Sequence, residues 1–321
     1  MREGQFIKRN KDRWKEYEHP AEDPDELARQ FTYLVDDLSY AKTFYPFGNT
    51  VKYLNSLGAN IYLSIYRNKK EKSHRLITFW TTEVPLIVQK HHKKLLFAFL
   101  FFIAFIILGA FSAKYDQNFA RAVLGDTYVD MTERNIAKND PFGVYKDENE
   151  WYMFLRIAQN NIGVAFKCFI MGILGSVGTI WLLLKNGLML GVFEYMFFRQ
   201  GLGMQSILVV FIHGTLEISA IVIAGGAGII LGNSLLFPKT YTRLQSLQEG
   251  AKDGVKIMIS LVPVFIVAAF FEGFVTRHTD MPVLLSASIL LGSLAFILFY
   301  YVYYPIVVRK RTSVPADARR Q

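Results

Sequence analysis

Cysteine is almost absent from this sequence. Its 321 residues include one cysteine, Cys168, which lies inside an apolar segment. A single cysteine cannot form an intramolecular disulfide, so a disulfide framework and a cysteine-based metal site are both excluded. We predict no metal site and no cofactor from the sequence.

Charge is missing from several windows of about 20 residues, the length that an α-helix needs to cross the hydrocarbon core of a bilayer. Hydrophobic residues make up 52% of the chain, which is too apolar for an ordinary soluble domain. The sequence therefore predicts an all-α, polytopic helical membrane protein. We expect about six spanning segments and a small N-terminal cytoplasmic helical bundle.

The formal net charge of +9 is concentrated in residues 1–94 and at the C-terminus. Cytoplasmic flanks of membrane proteins have this distribution, so we expect the lipid bilayer and not nucleic acid as the partner of this charge. The hydrophilic N-terminus has no short apolar core followed by a cleavage site, so no cleavable signal peptide is expected. Both termini are predicted to be cytoplasmic.

Signatures of catalysis are also missing. The segment HGTLE at 213–217 holds one His and a Glu at the wrong offset for a zinc protease of the HExxH type. The segment GSVG at 175–178 is only superficially similar to the serine setting of a rhomboid protease. The chain has no Walker A loop, so an ATP-driven role would need a separate subunit. We predict that the protein is not an enzyme.

Residues 1–72 are predicted to form a cytoplasmic bundle of three amphipathic helices, with Asp23 capping the second. Residues 73–94 combine apolar and basic residues and are typical of an interfacial amphipathic helix, which Pro85 should break. His91 and His92 are interpreted as part of the basic flank and not as metal ligands.

The transmembrane domain is predicted over 95–308, with an extracytoplasmic cap at 114–159 and a cytoplasmic, largely disordered tail at 309–321. The predicted spans are 95–113, 160–185, 187–199, 205–237, 257–275 and 284–306. A continuous helix is expected from Asp147 to Lys185, ended by Asn186 and Gly187. The segment 187–199 either crosses or re-enters the membrane. The long run 205–237 is expected to be tilted or broken at a glycine.

A few polar residues lie in apolar surroundings, where lipid would penalise them, and they are candidates for an intramembrane polar site. They are Asn160, Asn161, Asn186, Glu194, His213 and Glu217, with Asn233 and Glu272 as further polar positions. His213 and Glu217 share one helical face at i and i+4, which suits a proton relay or an ion ligand. Three interpretations remain open: structural satisfaction of helix ends, an ion or substrate pathway, and catalysis.

Small residues recur at spacings that let helices approach closely. These helix-packing candidates are Gly172, Ser176, Gly187, Gly191, Ala224, Gly228 and Gly232. They predict close contact either with neighbouring helices of the chain or with a second copy in a homo-oligomer.

Two stretches together resemble the stage II sporulation protein M family of integral membrane proteins. They are IAQNNIGVAFKCFIMGILGSVGTIWLLLKNGLMLG and FIHGTLEISAIVIAGGAGIILGNSLLFP. The resemblance covers roughly residues 75–308 and includes the Asn160–Asn161 pair, His213, Glu217 and Pro238. The bundle at 1–72 is similar to the extended N-terminus of larger members outside the spore formers.

The resemblance implies a protein of the bacterial cytoplasmic (inner) membrane. It further implies a membrane scaffold that works with peptidoglycan-active partners, and association with a cytoplasmic AAA+ ATPase of the MoxR type or with other membrane proteins. The leading hypothesis is a non-enzymatic scaffold or complex subunit in envelope maintenance. The alternative is a transporter or channel subunit with a polar midplane site, and a third interpretation is an intramembrane hydrolase.

Overall fold

The structure is a computed structural model that describes residues 1–19, 21, 23–67, 75–143, 149–277 and 281–313. The chain divides into two compact units, Met1–Arg75 and Leu76–Gln321. The predicted domain boundary at residue 72 lies outside the described residues. The described elements are all helices, as the all-α prediction requires.

The first unit contains three helices, α1 Glu3–Tyr17, α2 Pro24–Phe44 and α3 Asn49–Arg67. Asp23 caps α2, since its carboxylate accepts a hydrogen bond of 3.0 Å from the Glu26 amide. The unit has a hydrophobic core of its own. Its members include Phe6, Trp14, Tyr17, Leu27, Leu34, Ala41, Leu54, Leu57 and Ile61.

The second unit begins inside α4 Arg75–Thr78, which is followed by a π-helical turn at Phe79–Glu83 and by α5 Val84–Lys90. The prediction that Pro85 breaks the helix is wrong. Pro85 lies at the start of α5 directly after the π-helical turn, where the altered hydrogen-bond spacing tolerates a residue without an N–H. Val84 and Val88 are buried in the core of the unit.

The remaining helices of the second unit are numbered in chain order. They are α6 His92–Tyr115, α7 Gln117–Leu124, α8 Asp126–Ala137, α9 Glu150–Ile170, α10 Val177–Arg199, α11 Gly203–Leu236, α12 Arg243–Phe270, α13 Val283–Leu298 and α14 Tyr304–Ser313. Helices α7 and α8 lie in the predicted cap. Helix α14 extends into the predicted tail, and residues 314–321 lie outside the described part.

The continuous helix predicted from Asp147 to Lys185 is wrong. Helix α9 ends at Ile170 and is followed by a 3₁₀ turn, Met171–Ile173. Gly175 and Ser176 then adopt positive φ angles of 64° and 71°, which end the helical path. The chain reverses here, so α9 and α10 form a helical hairpin.

Asn186 and Gly187 do not end a helix, contrary to the prediction. Both lie inside α10, which runs unbroken from Val177 to Arg199. The segment 187–199 is therefore the second half of a 23-residue helix and not a short crossing or a re-entrant segment.

Helix α11 is the centre of the second unit. Its 34 residues form one continuous α-helix, so the predicted alternative of a break at glycine does not occur. It packs against α6, α9, α10, α12 and α13. Because glycine has no side chain, α11 admits Leu95 of α6 beside Gly226 and Leu183 of α10 beside Gly225.

Five helices among the described residues are long and apolar enough to cross a membrane. They are His92–Tyr115, Val177–Arg199, Gly203–Leu236, Arg243–Val275 and Val283–Thr312. Helix α9 is not one of them, yet it runs antiparallel to α12, with Phe154 beside Gly273 and Phe169 beside Gly254. It therefore passes through the same thickness of the bundle. Six membrane crossings remain a prediction, with α9 as the additional helix.

Candidate functional site

The candidate site joins the first half of α11 to the far end of α12. His213 and Glu217 come from α11, and Glu272 comes from the π-helical turn Phe271–Val275 that follows α12. One ligating atom of each of these three side chains lies within 4.8 Å of the others. This end of the bundle, which also carries α7 and α8, is called the cap end below.

Thr276 fixes the orientation of the His213 ring. The Thr276 hydroxyl donates to the carbonyl oxygen of Phe271 at 3.1 Å, and its oxygen lies 3.0 Å from His213 Nδ1. The Thr276 oxygen therefore links the Phe271 carbonyl to the imidazole and leaves His213 Nε2 on the opposite edge of the ring, 3.8 Å from Glu272 Oε2.

Helix α9 contributes polar side chains to the same cluster. Asn160 donates its amide to Asn161 Oδ1 at 3.1 Å, and the Asn161 amide lies near the Glu217 carboxylate. Arg156, one turn earlier, places a positive charge near Glu272. The cluster therefore joins α9, α11 and α12 through polar contacts at a place where burial makes such contacts strong.

A cavity of about 320 Å³ opens beside His213 and Glu217. Its lining comes from α6, α7, α8, α10 and α11 and includes Phe102, Val123, Leu124, Tyr128, Asn186, Met189, Phe193, His213, Glu217 and Ile221. Burial raises the pKa of the Tyr128 phenol, and the charge of Glu272 raises it further while a hydrogen bond with Thr132 opposes the shift. Tyr128 is therefore a neutral hydroxyl at the wall of the cavity.

Four of the six predicted polar-site residues meet at this place. His213, Glu217 and Asn186 line the cavity, and Asn161 reaches the Glu217 carboxylate. Asn186 also donates its amide to the Leu182 carbonyl at 2.8 Å. Asn160 is exposed and takes part only through Asn161.

Glu194 lies apart from the cluster. It accepts a hydrogen bond of 3.3 Å from Ser206, between α10 and the start of α11, and does not line the cavity. Its second carboxylate oxygen is buried with no hydrogen-bond partner. The prediction that Glu194 shares a site with His213 and Glu217 finds no support in this geometry.

Sequence reasoning named Glu272 as a further polar position without grouping it with His213 and Glu217, and it missed Thr276, Arg156 and Tyr128. Glu272 stands in an apolar run and was recognisable as a polar exception, but the sequence contains no signal that pairs it with α11. The other three residues belong to segments that contain many polar residues, so no sequence signal distinguishes them from their neighbours.

His91 is also placed differently from its prediction. It is buried, and its Nε2 atom lies 2.8 Å from Asp253 Oδ2 of α12, which Lys90 approaches at 2.7 Å. Lys256 of α12 contacts Glu83 at 2.6 Å. His91 therefore attaches the start of the membrane unit to α12 and is not simply part of a basic flank.

The helix-packing candidates contact helices of the same chain. Gly172 lies against the Gly228 backbone, Gly232 against Ser176, and Gly187 and Gly191 against Phe105 and Ile106 of α6. Ala224 is fully buried. The sequence left open whether these residues contact neighbouring helices or a second copy of the chain. In the structure they contact neighbouring helices, which cover their surfaces within one chain.

The fold and the site together define a polytopic helical membrane protein with a polar cluster near one end of its bundle. The sequence profile of the stage II sporulation protein M family matches residues 98–277, and the chain belongs to that family. Residues 4–67 match a separate domain of unknown function, DUF8413. The family match includes both hairpin helices and the polar cluster.

One similar relative is an uncharacterised protein of Methanocaldococcus jannaschii. It is 25% identical over 191 residues, which cover 58% of this chain and 83% of the relative. No solved structure matches the chain.

Proposed function

We propose that the chain is a non-enzymatic scaffold subunit of a membrane complex that maintains the bacterial cell envelope. The observation that carries the proposal is the division of the chain into a three-helix unit with its own core and a separate membrane unit. Such a division suits a subunit that anchors in the cytoplasmic membrane and presents a docking domain. The basic ends of the membrane helices favour a cytoplasmic position for both termini.

Among the residues that the structure describes, no accessible nucleophile lies at the cluster, and this supports a non-enzymatic role. Thr276 is the hydroxyl residue placed beside His213, but only 1% of its surface is exposed. A nucleophile must be reachable by its substrate, whereas this hydroxyl is enclosed between the Phe271 carbonyl and the His213 ring.

The partners proposed are a cytoplasmic AAA+ ATPase of the MoxR type, peptidoglycan-active proteins and other membrane proteins. The family resemblance supports these classes. The first unit offers exposed aromatic side chains for docking the ATPase, among them Phe44 (59% exposed) and Phe47 (99% exposed). Exposed aromatic residues are enriched at protein interfaces.

Affinity purification of the full chain from cross-linked membranes tests this role. We expect an ATPase of the MoxR type to copurify with the wild type and to be lost from the Phe47→Ser variant. Lys52→Ser is the matched control because Lys52 is also exposed but charged. Recovery of the chain without any stoichiometric partner, in cells that express such an ATPase, would contradict the proposal.

A second candidate function is passage of an ion or small solute through the membrane unit. The cavity beside His213, Glu217 and Asn186 favours it, because polar groups in the interior of a membrane protein mark ion and substrate pathways. In proteoliposomes, flux that Glu217→Gln abolishes and Glu194→Gln leaves unchanged would establish transport. Proteoliposomes with no flux above empty vesicles would exclude it for the ions tested.

A further inference from the structure

The ligating atoms of His213, Glu217 and Glu272 are close enough to share one ion. They lie within 4.8 Å of one another on two different helices. Ligands of a tetrahedral zinc ion, bound at about 2.0–2.2 Å, stand roughly 3.3–3.6 Å apart. Small rotations of the two flexible glutamate side chains would close this difference without movement of the helices.

The spacing of His213 and Glu272 suits a cation between the imidazole and the carboxylate. Thr276 lies against Nδ1, so Nε2 is the ring nitrogen that faces Glu272, at 3.8 Å from Oε2. The distance of 3.8 Å is too long for an N–H···O hydrogen bond, which needs about 2.7–3.2 Å. It leaves room for a metal ion.

The charge of the cluster also favours a bound cation. Two carboxylates of α11 and α12 meet inside the bundle, and Arg156 supplies one positive charge near Glu272. Buried carboxylates are costly unless they are paired or coordinate a metal. A divalent cation would compensate the second carboxylate and attach α11 to α12.

The surroundings resemble the outer shell of a metal site. A ligating histidine almost always has its other ring nitrogen hydrogen-bonded to a fixed partner, as His213 Nδ1 is to Thr276. Ligating carboxylates usually have polar neighbours too, and Glu217 has the Asn161 amide nearby. His213 and Glu217 also line the cavity.

We propose that His213, Glu217 and Glu272 bind one divalent transition-metal cation at the cap end of the bundle. One imidazole and two carboxylates suit Zn²⁺, and the same ligands also accept Mn²⁺ or Fe²⁺. Four-coordinate Zn²⁺ would keep one position for water from the cavity. The proposal does not depend on the scaffold role, and it concerns binding whether the ion is structural or is moved through the membrane.

Metal binding by the full chain in detergent tests the proposal. The protein is stripped with a chelator and titrated with Zn²⁺ by calorimetry, and with Co²⁺ as a spectroscopic probe. We expect one Zn²⁺ per chain, with affinity lowered at least about tenfold in Glu217→Gln and in Glu272→Gln. Glu194→Gln is the matched control, a glutamate of the membrane unit outside the cluster, and should bind as the wild type does.

Wild-type affinity in both cluster variants, or no stoichiometric binding by the wild type, would overturn the proposal. If either variant fails to fold, X-ray absorption of the zinc-loaded wild type decides. The spectrum should show one imidazole and carboxylate oxygens at about 2.0–2.2 Å. A spectrum with two or more imidazoles or with sulfur would place the ion elsewhere and overturn the assignment.

Discussion

Thr179 donates a hydrogen bond of 2.7 Å to the carbonyl oxygen of Cys168, eleven residues earlier in the chain. In a continuous α-helix, two residues at this separation would stand about 16 Å apart along the axis. The contact therefore ties the first turn of α10 to the last turn of α9 and fixes the hairpin. Both residues are fully buried.

Replacing Thr179 by Val should destabilise this hairpin. Valine keeps the shape of threonine but removes the donor, so we expect a loss of about 1–3 kcal/mol in the free energy of unfolding. Denaturant unfolding of the full chain in detergent measures the change. Thr179→Ser retains the hydroxyl and should lose less. Unchanged stability in Thr179→Val together with a loss in Thr179→Ser would show that the methyl group, and not the hydrogen bond, is what matters.

The hairpin also shows where sequence reasoning stops. The segment 171–176 is glycine-rich but contains no proline, so its apolar pattern continues from one helix to the next without a visible break. The left-handed backbone of Ser176 leaves no signature in the residue types. The ridge spacing of Gly228 and Gly232 was readable because close packing requires small residues at fixed intervals. Which helices pack against these glycines depends on the hairpin, so it could not be predicted from the sequence.

The polar cluster also has one part that the sequence predicts and one part that it does not. His213 and Glu217 are four residues apart, so their common face follows from helix geometry alone. Glu272 and Thr276 are also four residues apart, but they reach the cluster only because α12 packs antiparallel to α9 and beside α11. The local half of the site was therefore predictable and the half that depends on tertiary packing was not.

Gly228→Leu should prevent the hairpin from packing on α11. A β-carbon at position 228 would collide with the Cys168 carbonyl and Thr179, and backbone at this contact cannot move aside. Overpacking of this kind costs about 1–3 kcal/mol, or more where backbone is involved. We expect a lower melting temperature and aggregation on gel filtration in detergent.

Gly163→Leu is the control for that substitution. Gly163 lies in α9, and nothing stands within 4 Å of a β-carbon added there. The Gly163→Leu protein should melt and elute like the wild type. A Gly228→Leu chain with normal stability but a changed oligomeric state would contradict this prediction. Gly228 and Gly232 would then make contacts between copies of the chain.

Asp253→Asn should weaken the attachment of α5 to α12. Asp253 accepts from Lys90 at 2.7 Å and from His91 at 2.8 Å, and both His91 and Asp253 are buried. Hydrogen bonds to charged groups are worth about 1.5–3 kcal/mol each, so we expect a loss of that order in stability. Faster hydrogen exchange of peptides from 84–91 measures the effect. Glu249→Gln, an exposed change on the same helix, should leave exchange unaltered.

Asp37→Ala should loosen the first unit without disturbing the membrane unit. Asp37 contacts Arg13 at 2.5 Å and accepts a hydrogen bond of 2.8 Å from the indole of Trp14, which is 2% exposed. Its removal leaves the buried indole N–H without an acceptor and deprives the Arg13 guanidinium of its ion pair, which costs about 1–3 kcal/mol. Hydrogen exchange of the full chain should therefore accelerate in α1 and α2 and stay unchanged in α11. Asp36→Ala alters the exposed neighbouring carboxylate and should have no effect. Equal acceleration in α11 would show that the two units unfold together, contrary to their separate cores.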